Sequence, residues 1–365
     1  MRILHRPAVR LLAAAALAGA LGACGENGPS GPFDPAGTSA DVGTVQGMFA
    51  TSSFNSFSAM SAGMDAVLGS SITASVGAVE NGAATVRSPA AGAATYARRL
   101  TALLPRGAAA GLSASSGAIP LAALGKTFVY TTESGYVASD RTGAPSDGVR
   151  FVLYAVDPLT RQPVTPLTET GYVDVVDHSG DNDVDVRVQA VSGTTIFIDY
   201  AVTASGSASG GNIRVLGFIS DLTDRANFDL KSGVGLSGDH LEITLDYDLR
   251  VPTRDIILDF TVHLTTNDTG LGNGDLSLLL QGPHGKVEMD GDIEASGGTL
   301  GVKVNGDDFA TLTVDGNFQP TVTNGSGEPL TTDEQAALRH IAEVVGDAFD
   351  VVSDLLAPAS SLVSL

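Results

Sequence analysis

The densest run of potential ligand side chains is Asp177-His178-Ser179-Gly180-Asp181-Asn182-Asp183-Val184-Asp185. Alternating Asp and Asn oxygens are what a hard cation such as calcium selects, so Asp177, Asp181, Asp183 and Asp185 are candidate calcium ligands. The run departs from the calcium-loop pattern in two places: Val186 stands where the loop glycine belongs, and no glutamate closes the loop six residues later. Asp183 and Asp185 also alternate with Val184 and Val186, as on the wet face of a strand, so a solvated hairpin is the stronger expectation. A second cluster, from Asn267-Asp268-Thr269-Gly270 to Gly274-Asp275, reads as a glycine-rich turn.

Histidines add no metal pattern. His178, His240, His263, His284 and His340 stand singly, without HExxH or paired spacing, and His340 with Glu343 reads as a surface pair one helical turn apart. G-x-S-x-G, S-x-x-K, a P-loop and a dinucleotide fingerprint are all missing. The expectation is a non-enzymatic protein with no cofactor beyond that calcium candidate. The alternatives are a hydrolase whose Ser, His and Asp are gathered from distant positions, and an acidic, calcium-stabilised adhesion module.

The most specific chemistry lies at the start. Arg2, Arg6 and Arg10 precede an apolar stretch from Leu11 to Leu21, and Leu21-Gly22-Ala23-Cys24 closes it. Positive start, short apolar core and small residues are the grammar of a secretory signal, and about 11 apolar residues are too few to span a bilayer permanently. The closing tetrapeptide resembles the lipobox of bacterial lipoproteins, in which the cysteine sulfur takes a diacylglycerol before cleavage. Cys24 fills that slot and is the one cysteine of the chain. The resemblance implies a mature protein starting at Cys24 and held on a membrane by acyl chains, with no thiol left for a disulfide or a nucleophile. Gly25 after the cysteine favours the outer membrane if the host has two.

Losing the three leader arginines takes the net charge from −21 to −24. Such an acidic surface repels phosphate backbones, so nucleic-acid partners are excluded and the expected partner is the membrane, through the lipid on Cys24.

The elements that must carry these residues follow from spacing. After the signal (1–23), residues 24–45 are rich in Gly, Pro and Ser and read as a flexible lipid-anchored tether. Residues 46–125 form an Ala/Gly-rich helical segment and loop. Met48, Phe49, Phe54, Phe57, Met60, Met64, Val67 and Leu68 are spaced for one or two amphipathic helices, a further helix fits Ala93 to Leu104, and a loop fits 106–119. From 126 to 325 apolar residues alternate at period two. Leu241, Ile243, Leu245, Tyr247, Leu249 and Val251 interleave with Glu242, Thr244, Asp246, Asp248 and Arg250, and turn tokens such as Ser237-Gly238-Asp239, Gly272-Asn273-Gly274 and Asn305-Gly306-Asp307 separate the runs. Thr332 and Gln335 predict a capping box opening a helix to about Leu356 within the last segment, 326–365.

The expected fold class is mainly β with flanking helices (α+β): a large curved antiparallel meander sheet of roughly a dozen strands, covered by N- and C-terminal helices. In outline this is similar to LolA/LolB-like lipoprotein carriers, where a half-open barrel and its helices enclose an apolar cavity. That similarity implies a lipophilic small molecule as ligand if the dry face leaves a cavity, and a binding or scaffold role in the cell envelope if it is packed solid.

Overall fold

The computed structural model describes residues 32–68, 118–180, 183–207, 210–237, 240–267, 270–294, 297–315, 320–324 and 330–363. The signal, Cys24 and the expected helix at Ala93 to Leu104 lie outside them. Two helices, α1 (Pro35–Phe49) and α2 (Ser52–Leu68), precede the sheet. Its strands are β1 (Thr127–Thr131), β2 (Gly135–Ser139), β3 (Gly148–Tyr154), β4 (Glu169–Asp177), β5 (Asp183–Ser192), β6 (Thr195–Ser207), β7 (Gly210–Ser220) and β8 (Arg225–Ser237). There follow β9 (His240–Val251), β10 (Ile256–Asn267), β11 (Gly270–Gly282), β12 (Gly285–Glu294), β13 (Gly297–Val304), β14 (Asp307–Asp315) and β15 (Pro320–Asn324), then helix α3 (Thr332–Val363).

All fifteen strands form one open sheet, in chain order from β15 to β3 and then β1 and β2, so β2 and β15 are its edges. The fold class is as expected, with one correction: the sheet is mixed, because β1 pairs with β3 in parallel. The β1–β2 hairpin closes on itself and only then joins β3, which forces the parallel step. From β3 on, antiparallel hairpins place their turns alternately on two rims. We call proximal the rim formed by the β1–β2, β3–β4, β5–β6, β7–β8, β9–β10, β11–β12 and β13–β14 connections, and distal the rim that carries the others.

Alternation decides which face is dry. Ile243, Leu245, Tyr247, Leu249 and Val251 of β9 are buried, as are Ile256, Leu258, Phe260, Val262 and Leu264 facing them from β10. Some turn readings shift. Gly272-Asn273-Gly274 stays inside β11, because Gly274 serves close approach: a Cβ there would sit 2.3 Å from the His263 carbonyl oxygen.

The helices depart from the sequence reading at their ends. Pro35 to Val45, read as tether, belongs to α1. Asp34 caps it by accepting from the Gly37 amide at 3.0 Å, Pro35 suits the first turn, and Val42, Val45 and Met48 are buried against the core. The capping box of α3 sits one residue earlier than expected: Thr331 Oγ1 accepts from the Glu334 amide, and Glu334 accepts from the Thr331 amide at 2.7 Å. The helix continues past Leu356 through Pro358 to Val363, about 48 Å at 1.5 Å per residue.

Its last turns lie in the trough of the sheet. The early turns keep a wet side, with Arg339, Glu343 and Asp347 exposed, but from Val351 to Leu362 every side chain except that of Asp354 is buried. Ala357, Ala359, Ser360 and Ser361 are small enough for the sheet and the other helices to close round them. Pro358 has no N–H for the Asp354 carbonyl and loosens the turn. Tyr200 of β6 donates its hydroxyl to the neighbouring Leu355 carbonyl at 2.6 Å, while its ring meets Phe57 of α2 edge-on and Phe228 of β8 at a tilt. Ser58 of α2 donates to the Asp354 carboxylate.

Removing that tyrosine hydroxyl leaves a buried carbonyl short of a donor. Tyr200→Phe is expected to lower unfolding stability by about 1–2 kcal/mol, read as a lower denaturant midpoint at unchanged slope. An unchanged midpoint would show that the bond contributes nothing.

Candidate functional site

Three places could serve a ligand or partner: the trough, a cleft beside the parallel step, and the wet convex face. The trough is occupied. Its floor side chains, Phe151, Tyr200, Phe260 and Met289, are buried, as are Phe57, Met60 and Met64 of α2 and the terminal turns of α3, which meet at Tyr200. Two polar latches fix α1 over the sheet. Asp41, 6% exposed, meets His284 Nδ1 of the β11–β12 turn at 2.9 Å, with Gly37 and Gly282 leaving room, since a Cβ on either would collide with this pair. Gln46 donates to Asp347 at 2.7 Å and accepts from His340 Nε2 at 2.7 Å, tying α1 to α3. His340 is thus paired with Gln46, and the expected surface pair with Glu343 is replaced by this latch.

The cleft forms where residues 140–147 pass over the outer face of β3. It has a volume of about 330 Å³ and is bordered by Thr127, Arg141, Arg150, Glu169, Thr170 and Tyr172. Arg150 grips Asp174 through two 2.7 Å bonds and stacks on the Tyr172 ring at 3.7 Å, and Arg141 grips Glu169 at 2.6 and 3.0 Å. The Thr127 and Thr170 hydroxyls are shut from solvent without a hydrogen-bond partner. The cations here are already matched by acids, so the chemistry offered is polar and close to neutral.

Across the convex face runs a ladder of cross-strand ion pairs. Arg187 pairs with Asp199, Arg214 with Asp229, and Arg250 with Asp248 in its own strand. Asp229, Asp248 and Asp259 stand directly abreast on β8, β9 and β10. Arg214 and Arg250 hold Asp229 and Asp248 below the ordinary carboxylate range. Asp259 is gripped by no arginine, and burial followed by the charge of Asp248 pushes it up against the weaker opposing pull of Arg250. Its Oδ1 is shut from solvent without a partner. This pair lies on an open sheet face, on rigid strands.

Of the calcium candidates, Asp177, Asp183 and Asp185 are among the described residues. Asp177 ends β4 with both oxygens engaged by amides, from Ile119 at 2.7 Å and Ser179 at 2.9 Å. Asp183 and Asp185 sit in β5, the latter bonded through its backbone to Ser179 and His178, and Asp181 is outside the described residues. Among the described residues no group of three or more His, Asp or Glu side chains could hold a metal ion. The hairpin reading of this run is the one the strands follow. Sequence reasoning missed the Asp41–His284 pair, which joins residues 243 apart, and the Asp248–Asp259 pair, which the Pro252 to Asp255 turn would have registered.

With this geometry in place, comparison with known proteins finds no matching family model, curated protein or solved structure.

Two outcomes test the site. A raised carboxyl stabilises the fold while protonated and loses that contribution as pH climbs through its folded pKa, whereas the depressed Asp229 and Asp248 lose theirs as pH falls through their own. Asp259→Asn keeps a donor toward Asp248 and removes the facing charge, so thermal melts at pH 7 should rise by the equivalent of up to about 1 kcal/mol, with the gain gone by about pH 3. A variant less stable than wild type at pH 7 would refute the unfavourable pair. Thr127→Val deletes an unpaired buried hydroxyl and is expected to stabilise by about 1 kcal/mol. A loss of that size in chemical denaturation would mean that the hydroxyl has a partner.

Proposed function

We propose that this chain is a membrane-anchored lipoprotein of the cell envelope, acylated on Cys24, with a non-enzymatic scaffold or binding role. The observation that carries the role is the filled trough. A carrier of apolar molecules needs an apolar space of several hundred Å³, and here α3 occupies it from Val351 to Leu362 with its own side chains. A solid core of this kind supports surfaces: the cleft beside β3, the ion-paired convex face and the two rims. The anchoring half of the reading rests on the lipobox resemblance and the single cysteine. No helix of the described residues is long and apolar enough to cross a membrane.

The test is mass spectrometry of the detergent-extracted protein from its own host. The denatured protein should begin at Cys24 and carry covalent acyl mass, and the native spectrum should show nothing further. An unmodified Cys24 would overturn the anchoring, and a retained noncovalent lipid-sized mass would overturn the filled trough.

A further inference from the structure

The large apolar side chains left exposed are not scattered. Among the described residues they are Leu121, Leu159, Val164, Ile196, Leu216 and Leu222. Four of them stand on the proximal rim: Leu159 and Val164 in the β3–β4 connection, Ile196 beside the β5–β6 turn and Leu222 in the β7–β8 turn. These are successive hairpins of that rim, about 10 Å apart at two strand spacings each.

The turns hold these tips rigidly. Leu222 is 64% exposed and has φ of 77°, a left-handed backbone that a bulky residue adopts only under constraint. The constraint is visible: Ser220 Oγ accepts from the Leu222 amide, and Asp221 accepts from the Thr223 and Asp224 amides. Asp224 in turn accepts from Thr253 and Arg254 of the next hairpin on the same rim. Leu159, 79% exposed, is presented likewise, with Asp157 accepting from the Leu159 and Thr160 amides. Backbone strain and a braced turn spent on aiming a leucine at water gain nothing inside this fold.

The chain entering the fold arrives at the same rim. Phe33 packs edge-on against Phe309, just past the β13–β14 turn, and α1 begins beside His284 of the β11–β12 turn. Eight residues lie between Cys24 and Phe33, a reach of at most about 30 Å over the nine steps. Charge does not separate the rims: Arg161, Arg225, Arg254 and Lys286 on the proximal rim stand among Asp157, Asp221, Asp224, Asp255, Asp307 and Asp308, and the distal rim carries Asp177, Asp183, Glu242, Asp292 and Glu294.

We infer that the proximal rim rests on the lipid bilayer, with Leu159, Ile196 and Leu222 inserted at the headgroup boundary as a second membrane contact beside the acyl anchor. The inference rests on the anchoring reading above. It fixes an orientation: strands upright on the membrane, distal rim facing away. Short amphipathic contacts of this kind add to a lipid anchor and convert a tethered domain into a docked one.

Cys24 is acylated in that state, so a cysteine placed elsewhere is the one reactive thiol. Leu222→Cys and Leu121→Cys, the latter 85% exposed on the opposite rim, would each be labelled with an environment-sensitive fluorophore in the full acylated protein. The protein would then be reconstituted in phosphatidylethanolamine/phosphatidylglycerol vesicles containing a shallow nitroxide lipid. Quenching at position 222 is expected to exceed that at 121 by about threefold or more, with a blue shift at 222 alone. Equal quenching at the two positions in acylated protein overturns the docked orientation. A blue shift at 222 in native membranes without nitroxide quenching assigns the rim to a protein partner and overturns it too. Absence of acyl mass on Cys24 instead overturns the anchoring reading, and the orientation with it.

Discussion

The fold depends on one burial: the final turns of α3 inside the trough of the sheet. Fifteen strands with alternating side chains produce a continuous apolar face far larger than α1 and α2 can cover, and an uncovered face of that size would associate with whatever it met. Helix α3 resolves this with residues chosen for two different surroundings. Its first half is amphipathic, and its second half is apolar or small on every side. Tyr200 marks the centre, joining β6 to α2 through its ring and to α3 through its hydroxyl at the turn that Pro358 loosens. A proline that would weaken an exposed helix here sits in a helix segment enclosed on every side.

Burial on one face leaves the other to electrostatics. The convex face pairs arginines with aspartates, on neighbouring strands for Arg187–Asp199 and Arg214–Asp229 and within β9 for Arg250–Asp248, each pair weak alone in solvent. Asp259 is where the scheme lacks a cation. Three carboxylates abreast have two arginines between them, and the third responds by keeping its proton more tightly.

Much of the sheet was legible in the sequence because period two is a local signal. The runs at Leu241 to Val251 and Ile256 to Leu264 became β9 and β10 with the expected faces buried. What was hidden is long-range or degenerate. The parallel β1–β3 step has no local mark, since the same residues would pair equally well in either sense. The start of α1 was masked by its Gly, Pro and Ser content, although Asp34-Pro35 is a helix start in retrospect. The enclosure of residues 351–362 was foreshadowed by the lack of charge after Asp354, which the amphipathic reading of the earlier turns obscured. Of the candidate ligands, Asp183 and Asp185 followed the strand alternation that competed with the calcium pattern, and the Arg141 to Tyr172 cleft depended on a loop crossing that spacing does not encode.

The position of α3 in the chain sets the order of assembly. Hairpins from β3 to β15 can pair as neighbours through short loops, so secondary structure has no need to wait for distant sequence. The part of the trough that α1 and α2 leave uncovered, however, waits for α3, which follows all fifteen strands in the chain, and until it seats the molecule is a broad sticky ribbon. Holding factors that shield nascent apolar surface would matter most for this chain between completion of β15 and the seating of Leu355 beneath Tyr200.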